Sequence, residues 1–347
     1  MKKFLSMTMT LIMLMALAVP AFAVDKESDS NSEAEVQEEI LESASEFAYG
    51  NGYTIDEPYE YPIKPGTEEW FAIESHSEKV KMLQIPQETL EKMTTQALAE
   101  SVANYPYLGD MLAFSTSEKG YETVRDGFNG LQELENRPDG ISALSEYYES
   151  QQMMRSTDMS YVVRSAIEIT IEENRIENNE QALNERVAAA QLPKTPSGTT
   201  VTSSWCHYDS PELTASERAD INVYVKSNYG LSPLREPTRK YNCHSYAWYS
   251  QSSSNLWWID YPDDFMNDSY YTENTGVITG NNIAVYRSRP SSTEYLHSAI
   301  VTGVGTGSGP NPPITVVSKW GRMGLYSHML YNCPADYGRT MLFYKVA

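Results

Sequence analysis

The 347 residues carry 47 acidic against 26 basic side chains, a net charge of −21. A chain so acidic repels nucleic acid and anionic membrane surfaces, which argues against either as a partner. Its length points to two domains, and its three cysteines, Cys206, Cys243 and Cys333, are odd in number and too few for a disulfide scaffold.

Residues 1–23 read as a secretory signal peptide. Lys2 and Lys3 give a positive start, Phe4 to Ala18 is almost wholly apolar, and Ala21-Phe22-Ala23 supplies a small-x-small cleavage pattern. The apolar run falls short of the roughly 20 residues a bilayer span needs. No second run approaches that length, so no membrane span is expected, and the mature chain is expected outside the cytoplasm, secreted or at the cell surface. Residues 24–67 follow as an acidic spacer. Nine acids and one lysine lie between Asp25 and Glu46, and a stretch so charged and so poor in apolar residues is expected to stay disordered.

Residues 68–192 are predicted to be an all-helical domain. Pro86 opens a helix where its missing N–H costs nothing, and Leu90, Met93, Ala97, Leu98 and Val102 recur at helical spacing. Ser117 is the expected N-cap of a second helix, with Tyr121, Val124, Phe128, Leu131 and Leu134 as its buried stripe. A third carries Ile141, Leu144 and Tyr148. A long polar helix is expected over 158–190, with Val162, Ala166, Ile169, Ile176, Leu183 and Val187 turned inward. The lone His76 reads as structural or solvated. The segment from Gln84 to Leu134 resembles an N-terminal helical domain of secreted proteins in gut-dwelling bacteria, a resemblance that implies no activity. The region is read either as an independent binding or spacer module or as a segment restraining access to the chemistry downstream.

A Pro/Ser/Thr-rich stretch, 193–204, reads as a linker. Beyond it, residues 205–347 have a different character. Twelve acids and eleven basic residues nearly balance from Val201 onward, and Tyr, Trp, Gly and Asn become frequent. Strands are predicted over 280–287, 297–304, 314–319 and 341–346. The fold class is therefore α+β, an all-helical N-terminal domain followed by a mixed domain of about 145 residues.

The chemistry-bearing segment is Tyr241-Asn242-Cys243-His244-Ser245-Tyr246-Ala247-Trp248. Cys243 is placed at the start of a buried helix, where the positive end of the dipole and unpaired N–H groups favour thiolate and can donate to an oxyanion. His297 opens an apolar strand downstream, so rigid backbone holds its ring. The next strand returns through Ser318-Lys319-Trp320-Gly321 and brings Ser318 near the imidazole. Nucleophile, base and orienter are the parts of covalent catalysis. The same residues also fit an inert, packed thiol and a structural histidine.

Cysteine opening a helix, histidine opening a strand, and a return ending in Trp-Gly resemble the papain-like cysteine hydrolase superfamily. The Tyr241-Asn242-Cys243 segment is nearest in look to its NlpC/P60 and CHAP branches. The strand pair His297-Ser298-Ala299 and Ser318-Lys319-Trp320-Gly321 looks like papain's own. The resemblance covers about residues 204–347 and implies a secreted bacterial enzyme that cuts an amide bond in a peptide or peptidoglycan stem. It departs from the family where Ser318 stands in place of asparagine and Asn242 in place of an acid, and His328 is a second candidate orienter. The rival function is a catalytically inactive papain-like domain that binds at a surface. No cofactor or metal is expected. A zinc site from Cys206, His207, Cys243 and His244 can be drawn, but adjacent ligands strain tetrahedral geometry. Cys333 is the expected disulfide partner of Cys206. Trp257 and Trp258, adjacent in a strand, should face opposite sides, which leaves one for core and one for ligand.

Overall fold

The computed structural model describes residues 53–153, 159–176, 192–206, 211–306, 313–334 and 337–347. The signal sequence, most of the acidic spacer and the second half of the expected polar helix lie outside the described residues. The helices come first: α1 (Glu68–Ala72), α2 (His76–Met82), α3 (Gln87–Leu90), α4 (Thr95–Ala103), a 3-10 turn (Leu108–Ala113), α5 (Ser117–Gly127), α6 (Asn129–Asn136), α7 (Gly140–Met153) and α8 (Tyr161–Ile176). The strand-rich part follows with β1 (Ser204–Cys206), α9 (Ala215–Tyr229), a π turn (Ser245–Tyr249), β2 (Trp257–Ile259), α10 (Asp263–Met266), β3 (Tyr271–Glu273), β4 (Ile283–Arg287), β5 (Tyr295–Val304), β6 (Ile314–Lys319), β7 (Leu325–Met329) and β8 (Thr340–Val346). β1 and β2 pair alone. The other six form one antiparallel sheet in the order β3-β8-β4-β5-β6-β7. The fold is thus α+β, with helices concentrated in the N-terminal half and strands in the C-terminal half. No described helix is long and apolar enough to cross a membrane.

Side-chain caps set the helix starts. Thr67, Ser75, Thr94 and Thr116 each accept a backbone N–H of the first turn. Thr214 and Glu217 form a reciprocal capping box on α9, which Gly230 closes in the left-handed conformation at φ 71°. Three expectations change here. The helix expected from Pro86 through Val102 is two helices, because Thr94 turns extended to cap α4 and its N–H pairs with Ile55 O. The N-cap expected at Ser117 is Thr116. The stripe from Tyr121 to Leu134 is interrupted at Phe128, extended at φ −132° and ψ 111°. Its buried ring stacks on Tyr105 at 3.8 Å, and that packing outweighs helical continuity.

Two stretches read as unstructured are also ordered in part. Residues 53–67 belong to the body rather than to the spacer. Ile55 bridges to Met93, Tyr61 and Ile63 are buried, and Tyr61 Oη donates to Ser101 O. In the linker, Lys194 bridges to Thr200, and Ser197 is held by Asp268 through both its N–H and its hydroxyl.

Residues Gly52–Ala347 form one compact unit. The period of two along each strand explains why. Ala284, Tyr286, Ala299, Val301 and Val316 point to one face and join a cluster with helical residues such as Leu98, Met111 and Phe128. Ile283, Val285 and Ile300 point to the other and pack with Tyr246, Trp248 and Phe265. The helical region is therefore the cover of one sheet face and shares its core. His76, expected to be solvated or structural, is buried and pairs with Asp110, which also accepts from Tyr224 and Tyr229 of α9. Of the tryptophan pair, Trp258 is buried and Trp257 half-buried.

Candidate functional site

Asn242 builds the local geometry around Cys243. Its Oδ1 accepts the N–H of Ser245 and of Ile259, and its Nδ2 donates to Ile259 O. One side chain thus caps the short helix and ties it to β2. Cys243 opens that helix, and the chain widens at once into the π turn. The helix-opening position expected for Cys243 is therefore present.

Cys243 is fully buried. Burial pushes its thiol up. The Ser115 hydroxyl, the main-chain N–H groups of Ser298 and His244, and the Lys319 charge all work the other way without cancelling that effect. The Ser115 contact, Oγ to Sγ at 3.5 Å, comes from the helical half. It is part of a strap: Tyr337 Oη donates to Ala113 O, the Arg322 N–H to Leu112 O, and Arg322 Nη2 to Ser117 Oγ. Gly321, at φ 40°, lets the strap come close. A Cβ there would meet Leu112 O at 2.4 Å and Phe114 O at 2.5 Å.

His297 lies on the sheet face that carries Ala299 and Val301. Its imidazole is fully buried and stacks on Tyr337 at 3.9 Å with the planes 2° apart, while Tyr286 meets it edge-on. Neither ring nitrogen has a hydrogen-bond partner among the described residues. Burial, with His328 and His244 adding to it, pushes His297 well below the ordinary histidine value. Ser298 faces the opposite way. Its hydroxyl meets His244 Nδ1 at 2.8 Å and accepts from Trp248 Nε1, and burial lowers His244 to about 3.

Ser318 and His328 share the face of His297 but are committed to each other, with Oγ to Nε2 at 2.8 Å. Trp320 Nε1 donates to the same Ser318 hydroxyl, and His328 Nδ1 meets Met329 O. Burial lowers His328 to about 4. Neither residue hydrogen-bonds His297. Stacking on Tyr337 fixes the imidazole plane instead.

Three participants had no assigned role in the sequence. Lys319 is fully buried, and its Nζ donates to the carbonyls of Thr238, Gly321 and Met323 at 2.6–3.0 Å. Burial lowers it to about 7, with Cys243 and Glu212 acting in the opposite direction. It stood within the Ser-Lys-Trp-Gly return, so the signal was present. Tyr337 and Ser115 had none, because each is brought in by tertiary packing alone.

The expected disulfide does not form: Cys333 is buried with its thiol directed at Leu330 O. No group of three His, Cys, Asp or Glu side chains among the described residues could hold a metal ion. No family model matches the chain, and neither the curated proteins nor the solved structures contain a match.

Proposed function

We propose that the chain is a papain-like cysteine hydrolase, exported by its host bacterium, that cuts an amide bond in a peptide or peptidoglycan stem, with Cys243 as nucleophile and His297 as base. The observation that carries this reading is the imidazole of His297, buried with neither nitrogen partnered among the described residues, on the strand whose next N–H points at the Cys243 sulfur. An unpaired buried polar group costs about 1–3 kcal/mol, and such a cost in a folded protein calls for a reason. Base chemistry is one. A ring nitrogen kept free of other partners is available to a proton.

In the reaction, the Cys243 thiol gives its proton to His297 and the sulfur attacks the amide carbonyl. The tetrahedral intermediate collapses with cleavage of the C–N bond, and the leaving amine takes the proton from His297. A water, deprotonated by the same imidazole, then attacks the thioester. It releases the acid and regenerates the thiol. The Tyr337 ring keeps the imidazole plane constant through both transfers. The described form is closed, with the 112–117 strap over Cys243, so substrate entry requires the strap to move.

A second reading has an observation of its own. A fully buried thiol raised by burial is also what a packed, inert cysteine looks like, which fits a papain-like domain serving only to bind. Incubating the full mature chain and its Cys243→Ala variant with peptide and peptidoglycan substrates separates the two. The enzyme reading expects new amines and carboxylates from the wild type alone. No release from the wild type, or equal release from both proteins, leaves the binding reading.

A further inference from the structure

A cleft of about 580 Å³ opens where α8 faces the segments leading into and out of the Cys243 site. Its size matches that of a small-ligand pocket. Its walls are charged, and two arginines lie opposite two glutamates. From the core side come the guanidinium groups of Arg239 and Arg322. From α8 come Glu168 and Glu172, one helical turn apart on the same face, with Arg164 a further turn back.

These opposite charges face each other without touching. Among the described residues no ion pair within 4.0 Å joins Arg239 or Arg322 to Glu168 or Glu172, and the nearest pairing in the cleft is Arg164 to Glu217 at 3.9 Å. Arg239 spends Nη2 on the Tyr161 hydroxyl and Nη1 on Pro211 O, while its Nε is buried with no partner. Arg322 gives one Nη to Ser117 Oγ. Glu168 accepts from the Tyr148 hydroxyl. Glu217 is engaged by the capping box of α9. The cleft thus presents the guanidinium donors of Arg239 and Arg322 on one side and the carboxylates of Glu168 and Glu172 on the other, with a gap between them. A lone anion or cation would satisfy one wall and be repelled by the other.

We propose that this cleft binds a small zwitterion of the amino-acid class, a free amino acid or a short peptide with both ends free, its carboxylate on Arg239 and Arg322 and its ammonium on Glu168 and Glu172. A carboxylate matches the planar fork of a guanidinium, and an ammonium between two carboxylates completes the charge balance. Ser117, on the cleft wall, stands two residues from Ser115, which touches Cys243. A ligand here would therefore press on the strap, although the proposal does not depend on Cys243 being catalytic.

Calorimetric titration of the full mature chain tests it, because binding needs no turnover. The probes are trialanine, N-acetyl-trialanine, trialanine amide and free alanine. Trialanine or alanine should bind, and the tighter of the two identifies a peptide or an amino acid as the ligand. Both blocked peptides should bind about tenfold more weakly or worse than trialanine if the peptide is the ligand. Arg322→Gln and Glu172→Gln should each weaken the binding measured. If Arg322→Gln does not fold, Glu172→Gln, on the opposite wall, carries the expectation alone. No binding of alanine or trialanine at millimolar concentration overturns the proposal. So does binding of the blocked peptides as tight as that of trialanine where trialanine is the tighter ligand, or, for either ligand, unchanged affinity in the folded variants.

Discussion

Lowering the pH from 7 to 5 should destabilise this protein sharply, and the size of the effect follows from its buried histidines. His244, His297 and His328 are buried and neutral, with burial holding the first to about 3, the third to about 4 and the second well below its ordinary value. In the unfolded chain each titrates near 6.5. Between 6.5 and the folded values, the unfolded chain binds protons that the folded one refuses. Stability therefore rises with pH across that window and falls as the pH is lowered through it. For His244 and His328, pH 5 lies about 1.5 units below the unfolded value and well above the folded one, worth about 2 kcal/mol each. His244 and His328 together give about 4 kcal/mol, with His297 acting in the same direction, a large part of the roughly 5–15 kcal/mol that holds many domains together. The window from 7 to 5 lies above most carboxylate titrations, so the slope belongs to the histidines. Urea unfolding at several pH values, followed by tryptophan fluorescence, measures it. The loss should shrink by about 2 kcal/mol in His328→Asn. A stability flat between pH 7 and 5 would refute the buried, neutral state of these rings.

Gly321→Ala should force the strap away from Cys243, since its Cβ would run into main-chain oxygens at a positive φ. The expected result is a loss of about 1–3 kcal/mol together with faster iodoacetamide labelling of Cys243, read by peptide mapping. Lys319→Met should cost about 3 kcal/mol or more, because three carbonyls, two of them buried, lose their donor at once, and thermal unfolding would register it. The shared core predicts a single unfolding transition for residues 52–347 in calorimetry, even after a cut at Lys194 within the former linker. Two separate transitions would show independent halves.

Much of the strand pattern was legible because apolar residues there are dense and bounded by turn formers. β6 spans 314–319 as read, and β5 begins two residues before His297. β7 was missed, since Leu-Tyr-Ser-His-Met alternates too weakly to stand out. Helix breaks at Thr94 and Phe128 were illegible for another reason. Both are decided by partners distant in sequence, Ile55 for one and Tyr105 for the other. The same distinction runs through the site. Cys243 at a helix start and His297 on a strand are local features, and periodicity finds them. Their surroundings are not local: Ser115 arrives from 128 residues away, and Tyr337 from a turn that carries no pattern. Ser318 and His328 were read as alternative orienters of His297 and bond each other instead, because which of three neighbours a buried hydroxyl chooses depends on packing distances that no spacing encodes.

The pairing of Cys243 with His297 is the centre of the account. Its most direct test is the pH dependence of iodoacetamide alkylation at Cys243, followed by mass spectrometry in the wild type and in His297→Ala. Because burial pushes the thiol up and keeps His297 neutral, the proton passes only as the sulfur attacks, so alkylation at neutral pH should fall about tenfold or more in His297→Ala. A single curve that rises only in the alkaline range, unchanged by His297→Ala, would contradict the pairing and leave Cys243 a packed, inert side chain.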